Sequence, residues 1–67
     1  MSKLVMMQKE INEMRFAFGR CAVSSHKQIG LRCLRDAEAF LGRNSDLSEQ
    51  LLGKAKYHLP YAEYWRR

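Results

Sequence analysis

The sequence predicts an all-α fold, a small three-helix protein with a long first helix, a second helix and a short third helix. Apolar residues recur at alternating spacings of three and four near the start of the chain, which is typical of a helix with one buried face. Two helix-start signals of the capping-box type follow. No repeat or linker divides the chain, so we expect residues 1–67 to form a single α-helical domain.

The first helix is predicted over residues 3–23, where the only glycine is Gly19. At about 100° per residue, its most regular apolar positions fall on one side of the helix. Val5, Met6 and Phe16 are apolar but lie beside this stripe, so we expect a broad buried surface with more than one neighbour. The stripe consists of Leu4, Met7, Ile11, Met14, Phe18 and Cys21.

The second helix is predicted to begin at His26, because Ser25 followed by Gln28 fits a capping box. Gly42 is expected to end it in a left-handed conformation. The segment "AVSSHK" contains no proline or glycine, so one continuous bent helix stays an alternative. The apolar positions of this helix are Ile29, Cys33, Leu34, Ala37, Phe40 and Leu41.

The third helix is predicted over about residues 47–58, after the turn sequence "GRNSD". Asp46, with Glu49 three residues later, is the expected N-cap, and Ser45 is the competing one. Pro60 is expected to end or kink the helix, because proline lacks the backbone N–H. Residues 60–67 would then form an aromatic tail or one extra turn.

The size of the chain predicts a homodimer. A 67-residue chain buries only about 60% of the surface that it exposes when unfolded. One such chain has few layers with which to cover a helix that is apolar on more than one side. We therefore expect an intertwined helical dimer, in which the stripe of the first helix packs on the first or second helix of the partner subunit.

The charge of the chain raises the question of nucleic-acid binding, because the net charge is +5 and the pI is about 9.6. Residues 1–34 contain six basic and two acidic side chains, but the basic residues are dispersed. A solvated helical face is therefore favoured over a phosphate-binding patch.

A DNA-binding helix-turn-helix is the alternative function, since the second helix, the turn and the third helix have the required order. Against it, the would-be recognition helix begins with Asp46 and Glu49, and its basic residues, Lys54 and Lys56, come late.

No catalytic, metal or cofactor site is predicted. Cys21, His26, Cys33 and His58 offer zinc-binding atoms, but none of them forms the close pair that structural zinc sites use. Ser24, Ser25 and His26 are adjacent in sequence and do not converge from different elements, so capping is the better interpretation of both serines. We do not expect an enzyme.

A membrane location is not expected either. The longest apolar run, "LVMM", is far shorter than the roughly 20 residues that cross a bilayer. Binding to a membrane surface would need a more strongly basic face on the first helix, which Glu10 and Glu13 dilute. No secretion signal is recognisable, so the cytoplasm is the expected location.

The C-terminal end is rich in aromatic residues, which are enriched in protein interfaces together with arginine. These residues are the candidates for binding a partner, and a lid over the chain's own core is the alternative. They are Tyr57, Tyr61, Tyr64, Trp65 and Arg66.

The stretches "INEMRFAFGRCAVSSHKQIGLRCLRDAEAFLGR" and "YHLPYAEYW" resemble a family of very small early proteins of lambdoid bacteriophages, which are encoded between the exonuclease and excisionase genes. The resemblance covers nearly the whole chain without a diagnostic motif. It implies a non-enzymatic helical accessory protein that promotes lytic development by binding a host or phage protein in the cytoplasm of the infected bacterium. The family carries no catalytic residues to transfer to this sequence.

Overall fold

The computed structural model describes residues 2–64, and within them the chain forms three α-helices and no strand. The helices are α1 (Lys3–Gly19), α2 (Ser25–Phe40) and α3 (Ser45–Tyr64). The predicted all-α, three-helix fold is confirmed. The prediction of a short third helix is wrong, because α3 has 20 residues and is the longest of the three.

The break between α1 and α2 is real, so the alternative of one continuous bent helix is wrong. α1 ends at Gly19, four residues before the predicted boundary. The backbone N–H of Arg20 donates to Ala17, and that of Cys21 donates to Phe18 at 3.0 Å. These bonds span three residues and tighten the last turn, which closes the helix.

The N-cap of α2 is Ser24, and the prediction of Ser25 is wrong by one residue. The Ser24 backbone is extended, and its hydroxyl oxygen accepts a hydrogen bond from the Lys27 N–H at 3.2 Å. The predicted left-handed stop at Gly42 is also wrong, because no glycine in residues 2–64 has a positive φ. Instead, the Phe40 carbonyl accepts from the N–H groups of Arg43 and Asn44.

The start of α3 differs from the prediction, and of the two arrangements expected after residue 59 the extra helical turn is present as far as Tyr64. Asn44 caps the helix, since its side-chain oxygen accepts from the Leu47 N–H at 3.2 Å, and neither Asp46 nor Ser45 takes that place. Pro60 lies inside the helix, which continues to Tyr64. Ala62 is fully buried in the core, and this packing stabilises a final turn that the proline alone would disfavour.

The core combines large side chains from one helix with small ones from the other two. α1 contributes the large residues, whereas α2 and α3 contribute mainly small ones and contact each other more extensively than either contacts α1. The buried residues of α1 are Met7, Ile11, Met14 and Phe18. Those of α2 are Gly30, Cys33, Leu34 and Ala37. Those of α3 are Ser48, Leu52, Ala55 and Ala62.

Two contacts set the spacing of the helices. The Phe18 ring packs directly against Gly30, so closely that a Cβ atom there would overlap the ring. The buried hydroxyl of Ser48 donates to the Ala37 carbonyl at 2.6 Å and joins α3 to α2. Small residues at these points let the three backbones approach one another.

Surface ion pairs connect α1 to both α2 and α3. Lys3 and Lys56 pair with Glu49 and Glu10, respectively, between α1 and α3. Arg15 pairs with Glu38 of α2 at 2.9 Å. Hydrogen bonds from Gln8 and Arg15 lower the pKa of the Glu38 carboxyl. Because solvent screens these exposed pairs, they orient α1 more than they stabilise it.

Candidate functional site

The predicted stripe of the first helix lies mostly in the chain's own core. Five of its six residues, Met7, Ile11, Met14, Phe18 and Cys21, are buried without a second chain. Leu4 is the exception and is 43% exposed. The stripe therefore has an internal role in this fold.

Three tyrosines of the predicted partner-binding group lie exposed on the C-terminal half of α3. Tyr57 and Tyr64 are 64% and 79% exposed, and Tyr61 is about half exposed. We call these three residues the tyrosine surface. Trp65 and Arg66, the other two predicted members, lie outside the described residues. Tyrosine offers a large contact area with few rotatable bonds, so such a surface suits protein recognition.

One residue of the tyrosine surface, Tyr61, packs against α2. Tyr57 and Tyr61 are one helical turn apart, with ring centroids 5.5 Å from each other. The Tyr61 ring also stacks on His26 of α2 at 5.1 Å. A hydrogen bond with Tyr57 raises the pKa of the Tyr61 hydroxyl. The contact with α2 therefore fixes the position of the Tyr61 ring.

A histidine pair adjoins this surface. The Nδ1 atoms of His26 and His58 are 3.0 Å apart, which is a hydrogen bond between α2 and α3. One ring must donate and the other accept, so the bond requires at least one neutral imidazole. Burial, followed by the charges of His26 and Lys54, lowers the pKa of His58. Sequence reasoning places both histidines only among possible zinc ligands and does not predict their contact, because they are 32 residues apart.

The four residues considered as zinc ligands do not form one group. His26 and His58 meet, but within residues 2–64 no three His, Cys, Asp or Glu side chains are placed to hold a metal ion. Cys21 and Cys33 are buried free thiols. The Cys21 thiol donates to the Ala17 carbonyl at 3.3 Å, and burial raises the pKa of Cys33. Both behave as small core residues.

The residues of the helix-turn-helix alternative are partly occupied by contacts within the chain. Glu49 and Lys56 of α3 both bind side chains of α1. Asp46 lies in the first turn of α3, at the end that a recognition helix directs toward base edges. This end of α3 is therefore acidic, where a DNA-reading helix would be basic.

A second exposed apolar region lies on α1. Val5, Met6 and Phe16, predicted from the sequence to widen the buried surface, are all exposed in the single chain, and Phe16 is 69% exposed. The Arg20 guanidinium lies 5.8 Å from the centre of the Phe16 ring, which is within cation–π range. Val5 and Met6 lie near the start of α1, and Phe16 lies near its end.

None of the three helices within residues 2–64 combines the length and the apolar character needed to cross a bilayer.

No protein-family model matches the chain, and no curated protein or solved structure matches it either. The tyrosine surface, with the histidine pair beside it, is therefore identified as the candidate site from its own residues.

Proposed function

We propose that this chain is a non-enzymatic accessory protein that acts by binding another protein through the tyrosine surface. The observation that carries the proposal is the exposure of Tyr57 and Tyr64 next to the anchored Tyr61. Aromatic residues that are rigid and exposed are the usual centres of binding energy in interfaces. Beside this surface, His26 and His58 bond to each other.

The biological setting of the proposal comes from the resemblance to early proteins of lambdoid phages. In that setting the chain is made early in infection, works in the cytoplasm of the infected bacterium and promotes lytic development. Its partner is a host or phage protein. The tyrosine surface would supply the contact, and Trp65 and Arg66 stay predicted members of the binding group.

Binding to a purified partner tests the proposal. The partner would be captured with the tagged chain from infected cells, identified by mass spectrometry and purified. Tyr57→Ala and Tyr64→Ala should each weaken its binding by about thirtyfold, the effect of losing a hot spot worth about 2 kcal/mol. Val23→Ala is a matched control, because Val23 is also highly exposed but lies between α1 and α2. Unchanged binding by the double tyrosine variant would reject this surface.

We also propose that the chain is a homodimer. The small size of the chain and the exposed Val5, Met6 and Phe16 of α1 support this proposal, since a second copy would cover apolar surface that one chain leaves in water. Sedimentation at micromolar concentration tests it. A stable monomer throughout that range would contradict it.

A second candidate function is binding to DNA. The order of α2, a short turn and α3 favours it, as does the net charge of +5. Gel shifts at physiological salt should then show retardation that weakens steeply as salt is added. The absence of a shift with both random and phage DNA would remove this candidate.

A further inference from the structure

We propose that the outer face of α1 is the dimer interface and packs antiparallel on the same face of a second copy. We define the outer face by five residues: Val5, Met6, Lys9, Glu13 and Phe16. The inference rests on the dimer that forms part of the proposed function. The predicted stripe cannot form most of this interface, because most of its residues are already buried in the core of the chain. The inference therefore assigns the dimer interface to other residues of α1.

The outer face lies opposite the side of α1 that packs on α2 and α3. The buried side is marked by Met7, Ile11, Met14 and Phe18. At about 100° per residue, Val5, Lys9 and Phe16 project roughly 150–170° from the centre of that side, and Met6 and Glu13 lie beside them at about 110–130°. The outer face is therefore free of the chain's own core and continuous along α1.

The order of residues on this face is self-complementary. Met6 and Phe16 are each five positions from residue 11, and Lys9 and Glu13 are each two positions from it. A two-fold axis passing near residue 11 would pair positions at equal distances on opposite sides of it. Met6 would then meet the partner's Phe16, and Lys9 would meet the partner's Glu13. The axis makes each contact occur twice.

The charges select the antiparallel arrangement. Within residues 2–64, neither Lys9 nor Glu13 takes part in an ion pair. Lys9 lies four residues before Glu13, which is the less favourable order for an ion pair within one helix. Both side chains are therefore available to pair with a second copy. A parallel dimer would place Lys9 against Lys9, whereas the antiparallel dimer places it against the partner's Glu13. Opposite charges flanked by apolar contacts fit a second copy better than a uniformly acidic or basic partner.

Sedimentation equilibrium of the full chain and of charge variants tests this arrangement. Lys9→Glu and Glu13→Lys should each raise the dissociation constant of the dimer by on the order of tenfold, because like charges then meet twice across the axis. The double variant K9E/E13K should restore most of the affinity, since it exchanges the two charges. Arg35→Glu on the exposed side of α2 is the control for Lys9→Glu, because it makes the same change in net charge, and it should dimerise normally.

Phe16→Asp provides an independent test. Its side chain is 69% exposed in the single chain, so the variant should keep its helical circular dichroism while losing the dimer. A dimer that neither Phe16→Asp nor Lys9→Glu weakens would overturn this interface and leave the dimer itself standing. Failure of K9E/E13K to recover affinity would overturn the antiparallel pairing. A wild-type chain that stays monomeric while Phe16→Asp abolishes binding to a different protein would assign the face to that protein instead.

Discussion

Phe18 of α1 and Gly30 of α2 are in direct contact, with the aromatic ring occupying the space where any other residue would carry its Cβ atom. A Cβ at Gly30 would lie within 3.0 Å of three ring atoms. Gly30 is thus required by packing and not by backbone conformation, since no glycine in residues 2–64 has a positive φ. This contact fixes how closely α1 can approach α2.

Gly30→Ala should therefore destabilise the protein by about 1–3 kcal/mol, the usual cost of overpacking a core. Urea unfolding followed by circular dichroism would measure it. Gly53→Ala is the matched control, because Gly53 is also inside a helix but a Cβ atom there would have no neighbour within 4 Å. It should gain up to about 1 kcal/mol from helix propensity. Equal effects of the two substitutions would contradict the packing explanation.

Ser48→Ala should cost about 1 kcal/mol, because it removes the buried hydrogen bond to the Ala37 carbonyl. Chemical unfolding would measure this loss. Gln50→Ala, on the exposed side of the same helix, should change the free energy of unfolding by less than about 0.5 kcal/mol. Wild-type stability in Ser48→Ala would show that the hydroxyl fills space without contributing a bond.

The two neighbouring serines at the start of α2 should respond differently to substitution. Ser24→Ala should cost about 1 kcal/mol through the lost bond to the Lys27 N–H. Ser25→Ala should be close to neutral, because Ser25 is the first residue of α2 and not its cap. Thermal unfolding of the two variants would measure the difference, and the reverse ranking would restore the capping box at Ser25.

The histidine pair predicts a loss of stability in mild acid. The pKa of His58 is lowered below 6.5 in the folded protein, so the unfolded chain takes up the proton first as the pH falls. Stability from this group is fully present above pH 6.5 and declines as the pH falls toward the folded pKa.

Thermal unfolding across this range would test the prediction. His58→Gln should flatten the decline, because glutamine does not titrate. His26→Gln should reduce it, because burial and then the neighbouring His26 and Lys54 lower the pKa of His58, and the substitution removes one of these neighbours. An unchanged pH profile in His58→Gln would assign the decline to other groups.

Pro60→Ala should raise the free energy of unfolding by about 1–3 kcal/mol, because it restores a backbone donor within α3 and removes the clash of the ring with the preceding turn. Hydrogen exchange of the amides in residues 57–64 should slow in parallel. Loss of stability in this variant would indicate that the proline contributes favourably at this position.

The sequence predicts the helices better than their ends. The spacing of Met7, Ile11, Met14 and Phe18 identifies the buried side of α1, because periodicity reflects burial directly. The caps are misplaced by one or two residues, since adjacent Ser, Asn and Asp side chains compete for the same role. Local propensity predicts that the helix ends at Pro60. It takes no account of the burial of Ala62, which depends on tertiary structure and keeps the helix intact beyond the proline.

The candidate site can be predicted only in part. The tyrosines are evident from composition, which needs no fold. The contact of His26 with His58 depends on how α2 and α3 pack, and nothing in the local sequence encodes it. The exposure of Phe16 is also hidden, because an apolar residue beside a buried stripe looks the same in sequence whether it faces the core or the solvent.

Most large buried residues lie on α1, and most small ones lie on α2 and α3. This division determines which core positions can change during evolution. At Met7, Ile11 and Met14, one long side chain can replace another of similar volume with modest effect. There is no such freedom at the small buried positions, which are Gly30, Ala37, Ser48, Ala55 and Ala62. Distant homologues should therefore keep the small positions of α2 and α3 while the core residues of α1 vary, and a search built on those small positions would find them first.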